Sequence, residues 1–234
     1  MAAAFCPRPA DCAEPVDLEL VLAVDVSRSI DDREYELQRQ GYVRALTHPN
    51  VLAAIHGTPT GRIAVAFVEW AGADFQRLVV PWTVISDVAS AESFADRLLV
   101  EPRSFWGWTS ISGAIDYSVR LFGTEFEGRR RVIDVSGDGV NNSGRPASAA
   151  RDDALARGIG INGLVILNDP QANFRSQPQP PVDEFYRENV ICGPGAFVIA
   201  VDDFESFAYA MVNKLVREIA ALPVQQDGRL ASRK

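Results

Sequence analysis

The chain has 234 residues, 47% of them hydrophobic and 23% charged, a globular composition long enough for one large domain with a buried core. Its 23 Lys and Arg against 31 Asp and Glu leave a net charge of −8 without a basic cluster, which argues against a surface built to grip nucleic acid. No apolar run approaches the roughly 20 residues that a membrane-spanning helix requires.

The stretch from Met1 to Ala13 lacks a basic start, and its apolar run is too short for a complete signal peptide. Residues 1–15 are therefore expected to be a tail, or the stub of a leader that begins upstream. The stub would place the chain in the periplasm or outside the cell; otherwise it would be cytoplasmic. Cys6, Cys12 and Cys192 form no Cys-x-x-C pair and have no nearby histidine, so structural zinc is not expected. A Cys12–Cys192 bridge and three free thiols both stay open at this point.

From Leu20 to Val24 the chain is an uninterrupted apolar run that stops at Asp25, the pattern of a parallel strand covered on both faces. Asp25, Ser27 and Ser29 follow at every second position, and in an extended turn their oxygens can aim at one point. Such oxygens are hard ligands, suited to Mg²⁺ or Mn²⁺. The plainer alternative makes Ser27 or Ser29 the N-cap of a helix starting near Ile30.

That helix is expected to run from Asp31 to Thr47, with Asp31, Asp32 and Glu34 complementing its dipole and His48-Pro49 ending it. After a loop through Gly57 to Gly61, residues 63–70 read as a second buried strand and 75–84 as a third. The turn between them, near Gly72, is too short for anything but an antiparallel pair. Residues 88–99 and 111–122 read as helices, 130–135 as a strand, and 146–157 as a helix. A strand at 159–167, a polar loop at 168–181, a helix at 183–189 and a strand at 196–201 follow. Asp202 is expected to cap a last helix through Ala220. Residues 16–222 would then be one domain, with 223–234 a polar tail.

Strands alternating with helices predict an α/β fold: a doubly wound, mostly parallel open sheet with one antiparallel edge strand and helices on both faces. Ligand sites in such sheets lie beyond the carboxyl ends of the strands. Asp25 and Asp138 each follow a strand directly, and Thr109 opens a helix that can face the same point. Two carboxylates and three hydroxyls are thus predicted to converge from three loops.

This pattern, Asp25-Val26-Ser27-Arg28-Ser29 with Thr109 in Trp108-Thr109-Ser110-Ile111 and the pair Asp138-Gly139, resembles the von Willebrand factor type A (vWA) domain and its metal-ion-dependent adhesion site (MIDAS). The strand Leu18 to Asp25 also looks like that of a bacterial group within that family. The resemblance implies a divalent cation, Mg²⁺ or Mn²⁺, held by Asp25, Ser27, Ser29, Thr109 and Asp138, with a partner carboxylate completing its shell. Two positions depart from the pattern. Arg28 and Trp108 stand where Gly is common, and Trp108 forms an aromatic cluster with Phe105 and Trp106. Arg28, Trp106 and Trp108 are therefore candidate ligand contacts, and simple packing is the other reading of the tryptophans.

Competing motifs fail in context. An EF-hand register beginning at Asp25 puts Ile30 where Gly is needed. Gly158, Gly160 and Gly163 spell G-x-G-x-x-G but lead into a strand rather than a helix, and read as a helix end and turn. A phosphatase with an Asp nucleophile after the first strand would want a second Asp at the position of Ser27. The expected function is a binding module that is monomeric on its own and whose metal captures an exposed Asp or Glu of a protein partner. The alternative is a metal-assisted hydrolase using the same cation.

Overall fold

The computed structural model describes residues 13–104, 106–167 and 180–220. The elements follow one another as β1 (Glu14–Asp25), α1 (Asp32–Leu46), α2 (Pro49–His56), β2 (Ile63–Trp70), β3 (Gln76–Ile85), α3 (Val88–Val100) and α4 (Ile111–Val119). After them come β4 (Phe126–Gly137), α5 (Ala147–Ala156), β5 (Ile159–Ile166), α6 (Val182–Asn189), β6 (Val198–Val201) and α7 (Phe207–Ala220).

The strands form a six-stranded sheet in the order β3-β2-β1-β4-β5-β6. All neighbours pair parallel except β2 and β3, which are antiparallel. The sheet is thus the expected doubly wound one, with β3 as the antiparallel edge. Alternation along β1 explains why its whole run is apolar. Leu18, Leu20, Leu22 and Val24 pack into the core under α1, α2, α3 and α7. Val21 and Ala23 face the opposite core, with α4, α5 and α6. From β1 the chain departs to β2 on one side and, later, to β4 on the other. The ends of β1 and β4 therefore flank the point where the strand order reverses, where open α/β sheets leave a crevice.

Some boundaries differ from expectation. His48-Pro49 does end α1, but Pro49 also opens α2, whose N-cap is His48 with Nδ1 accepting the Asn50 amide at 3.1 Å. Proline is suited to a first helical turn because its missing N–H is unbonded there anyway. The last helix starts at Phe207, and Asp202 is not its cap. Instead Asp203 Oδ1 accepts the Ser206 amide at 2.8 Å in a preceding turn. Gly158, at φ 73°, does end a helix, whereas Gly160 and Gly163 lie inside β5. Gly163 is small for a reason: a Cβ there would stand 2.8 Å from the buried Tyr186 ring. Residues 1–12, Phe105, most of the 168–181 loop and the 223–234 tail lie outside the described residues, as does Cys12 of the Cys12–Cys192 pair.

One charged cluster is buried in the α7-side layer. Lys214 Nζ lies 2.5 Å from Asp134 Oδ1 and 2.7 Å from Glu218 Oε1, and all three side chains are fully enclosed. Asn162 donates to Glu218 Oε1 at 2.9 Å and accepts the Phe197 amide at 3.0 Å. Burial pushes the Asp134 carboxyl up to about 7 against the pull of Lys214, with Glu218 adding to the rise.

Candidate functional site

At the end of β1 the chain turns sharply because Asp25 Oδ1 accepts the Ser27 amide at 2.7 Å, an aspartate side chain replacing the next rung of the strand ladder. The turn brings Ser27 Oγ and Ser29 Oγ to 3.2 Å from each other. Ser29 Oγ donates to Asp138 Oδ1 at 2.7 Å, which links the loop after β1 to the loop after β4. Thr109 Oγ1 donates to Ser27 Oγ at 3.3 Å, bringing in the loop before α4. Asp25, Ser27, Thr109 and Asp138 are buried, and Ser29 is partly so. The five residues singled out from sequence thus form one connected polar group over the ends of β1 and β4. Neither serine is a helix cap. That role belongs to Asp31, which forms a reciprocal capping box with Glu34.

Thr109 is held in place by its backbone. Its amide donates to Asn142 Oδ1 at 2.8 Å, and its carbonyl accepts the Asn142 amide at 2.9 Å and the Ser143 amide at 3.2 Å. Asn141 Oδ1 accepts the Ser112 amide at 3.0 Å, and Ser110 caps α4 through its hydroxyl. The two asparagines therefore stitch the loop after β4 to the start of α4. Sequence reasoning passed over them, although paired amides just beyond Asp138-Gly139 are a readable sign of side-chain-to-backbone bonding.

The electrostatics of the group are unbalanced. Asp25 Oδ2 is buried and, among the described residues, has no hydrogen-bond partner. Burial, and then the charge of Asp138, push the Asp25 carboxyl well above its ordinary range, while Ser27 and the Arg103 guanidinium pull it back. Tyr186 lies against the underside, buried, its hydroxyl also without a partner among the described residues and pushed up by burial and by the charges of Asp25 and Asp138. Among the described residues no three His, Cys, Asp or Glu side chains gather to hold a metal. Any ion here would rest on hydroxyls as much as on carboxylates. The donors present, two carboxylates and three hydroxyls with one carboxylate oxygen unspent, are a chemical fit for a hard divalent cation.

The rim carries the remaining candidates. Arg28 is exposed, and its amide donates to Gly107 O at 2.9 Å, fastening the first loop to the third. Trp106 and Trp108 are 56% and 73% exposed, and Phe75 beside Gly72 is 48% exposed. Trp106 is not idle, since the Arg103 guanidinium lies 3.8 Å from its ring centre. His48 caps α2, and His56 Nε2 is 2.8 Å from Ser86 O.

Residues 15–223 match the family model described as Protein of unknown function (DUF1194). The chain belongs to this family. No curated protein matches it. Among solved structures, this DUF1194 chain is similar to proximal thread matrix protein 1 (PTMP1) from the mussel byssus with its MIDAS motif occupied by zinc. Identity there is 17%, coverage is 89% of this chain and 47% of that one, and the TM-score is 0.62. It is similar also to the pilus adhesin SpaC from Lactobacillus rhamnosus GG, at 13% identity, 89% and 31% coverage, and a TM-score of 0.64. A von Willebrand factor type A structure from Catenulispora acidiphila gives 16% identity, 87% and 43% coverage, and a TM-score of 0.59. The chain spans less than half the length of each, and what the likeness shows is the fold, a vWA-like α/β sheet. By their names these neighbours are a thread matrix protein, a pilus adhesin and a von Willebrand factor type A structure.

Proposed function

We propose that this chain is a divalent-metal-dependent protein-binding module of adhesion or scaffold type. In this reading Asp25, Ser27, Ser29, Thr109 and Asp138 hold Mg²⁺ or Mn²⁺, and the cation captures an acidic side chain of a partner. The observation that carries it is the buried Asp25 Oδ2, without a hydrogen-bond partner among the described residues, beside Asp138 at the sheet's switch point and next to the linked hydroxyls of Thr109, Ser27 and Ser29. A buried carboxylate oxygen without a partner is costly, and a cation would remove that cost. The zinc-occupied MIDAS of the mussel protein supports a metal in this fold.

When bound, the cation would supply a Lewis acid for an oxygen anion. The chain's own residues do the rest. Ser29 holds Asp138 through its hydroxyl, Asn142 fixes Thr109 while Asn141 holds the start of α4, and Arg28 offers a guanidinium at the rim for a second contact to the anion. Binding is preferred to hydrolysis because in this reading both carboxylates belong to the metal set and both histidines are engaged elsewhere, so no general base stands at the site among the described residues.

The test is capture of an acidic peptide library on the immobilised chain with Mg²⁺, with Mn²⁺, and with chelator. Retention of Asp- or Glu-bearing peptides that is lost on chelation supports the reading. Retention indifferent to chelator, or metal-dependent turnover of phosphoester substrates abolished by Asp25→Ala, would overturn it.

A further inference from the structure

Behind the loop that carries Ser27 and Ser29 lies a side chain that no motif pointed to. Arg103 Nη2 donates to three carbonyls of that loop, Val26 O at 2.9 Å, Ser27 O at 3.0 Å and Ile30 O at 2.8 Å. Its Nη1 faces Asp32 Oδ1 at 3.5 Å, just inside α1. The guanidinium is packed between two rings, 3.8 Å from the centre of Trp106 and 5.1 Å from that of Tyr35. Only 9% of the side chain is exposed.

The neighbouring backbone is itself anchored. Glu69, at the end of β2, accepts the Ser104 amide at 2.9 Å and the Tyr35 hydroxyl at 3.0 Å, and pairs with the buried Arg39 at 2.6 Å. Arg103 is thus supported from α1 and β2 while it gathers the loop carbonyls on one side. The hydroxyls of Ser27 and Ser29 are engaged elsewhere, with Thr109, with Asp138 and with each other. A planar fork of donors suits this gathering better than a point charge does.

We propose that Arg103 is a positioning residue of the candidate metal site, fixing the 26–30 loop from behind so that Ser27 and Ser29 stand beside Asp25 and Asp138 before a cation arrives. This role rests on the metal-binding reading above. It makes a prediction opposite to simple electrostatics. Arg103 is a positive charge near a cation site, and by Coulomb's law alone its removal would strengthen cation binding. As the clamp of the loop, its removal must weaken binding. Removal of outer groups that orient metal ligands characteristically costs roughly 10- to 100-fold in affinity.

The experiment compares the parent chain with Arg103→Met, which loses charge and donors, and Arg103→Lys, which keeps the charge and loses the planar fork. Mn²⁺ affinity is read from the free-ion signal in electron paramagnetic resonance. Hydrogen exchange of the 26–31 amides is read in chelator, without any metal. The expected result is Mn²⁺ binding weakened roughly 10-fold or more in R103M, an intermediate loss in R103K, and faster exchange confined to the 26–31 segment. Unchanged or tighter Mn²⁺ binding in R103M overturns the proposal, as does unchanged exchange in that segment. Should R103M fail to fold, R103K decides alone: weaker Mn²⁺ binding near the parent's melting temperature supports the clamp, and parental affinity overturns it. A parent chain that binds no Mn²⁺ overturns the metal reading itself, and this is seen before either variant is compared.

Discussion

Asp25 and Tyr186 meet across Gly137: a Cβ on that glycine would lie 2.9 Å from Asp25 Oδ2 and 3.0 Å from the Tyr186 hydroxyl. Among the described residues neither oxygen has a hydrogen-bond partner, and the missing side chain at Gly137 is what leaves room for both.

Gly137→Ala is therefore expected to destabilise the chain by about 1–3 kcal/mol, the usual cost of forcing a methyl into a packed interior. Urea unfolding of parent and variant measures it. A change below about 0.5 kcal/mol, the scale of ordinary surface substitutions, would mean that Asp25 can swing away freely.

If Asp25 and Asp138 repel each other in the metal-free state, Mg²⁺ or Mn²⁺ should stabilise the fold by about 2.7 kcal/mol at a hundred times its Kd. For a domain of this size that is a rise of roughly 5–10 °C in Tm. Asp25→Asn should raise the metal-free Tm, because it removes a buried charge, and should abolish the rise on adding metal. Melting curves of the two proteins with and without metal give all four numbers, and a metal response that survives in D25N would place the ion elsewhere.

Thr109 separates structure from binding. Its backbone makes the bonds to Asn142 and Ser143, while its hydroxyl bonds Ser27. Thr109→Ala should cost about 1 kcal/mol of stability, the scale of one hydrogen bond, yet weaken metal and peptide binding by a larger margin. Loss of stability with binding intact would make the hydroxyl a mere prop for Ser27.

The Lys214 cluster offers a test unconnected with the site. Lys214→Met leaves Asp134 and Glu218 buried without their cation and should cost about 3–5 kcal/mol. The pH dependence has a definite sign. Asp134 is raised in the fold from 3.8 to about 7, so between those values the folded chain holds a proton that the unfolded chain has released. Its contribution is complete below about pH 4 and is lost as pH rises through about 7, with a slope of at most about 1.4 kcal/mol per pH unit. Urea unfolding across that window should fall less steeply in Asp134→Asn than in the parent.

How much of this could be read from the chain depended on whether local pattern and final environment agree. The run from Leu20 to Val24 is apolar on both faces because it is buried on both, so its place near the sheet centre was legible. The convergence of Asp25, Ser27, Ser29, Thr109 and Asp138 was legible too, since residues at strand ends inherit their position from the sheet. By contrast, β4 begins at Phe126, but Arg129, Arg130 and Arg131 disguise its first half. Arginine stems can lie along a sheet while their heads find Asp17, the Glu218 carbonyl and Glu19. Helix α2 is hidden in the sequence because Pro49 reads as the stop of α1 as readily as the start of a new helix. Arg103 and Tyr186 reach the site by tertiary packing, from loops and helices whose local sequence has no period that points there.

The sheet's two margins bear on how copies of this chain can crowd together. On one side β3 carries an exposed Pro81, which has no N–H to offer, and its pairing with β2 is irregular near Val65 and Phe67. On the other, β6 is only four residues long. An edge broken by proline and an edge too short to template another strand both discourage neighbours from zipping on. Copies of this chain could then stand at high local concentration without one sheet seeding growth on the next.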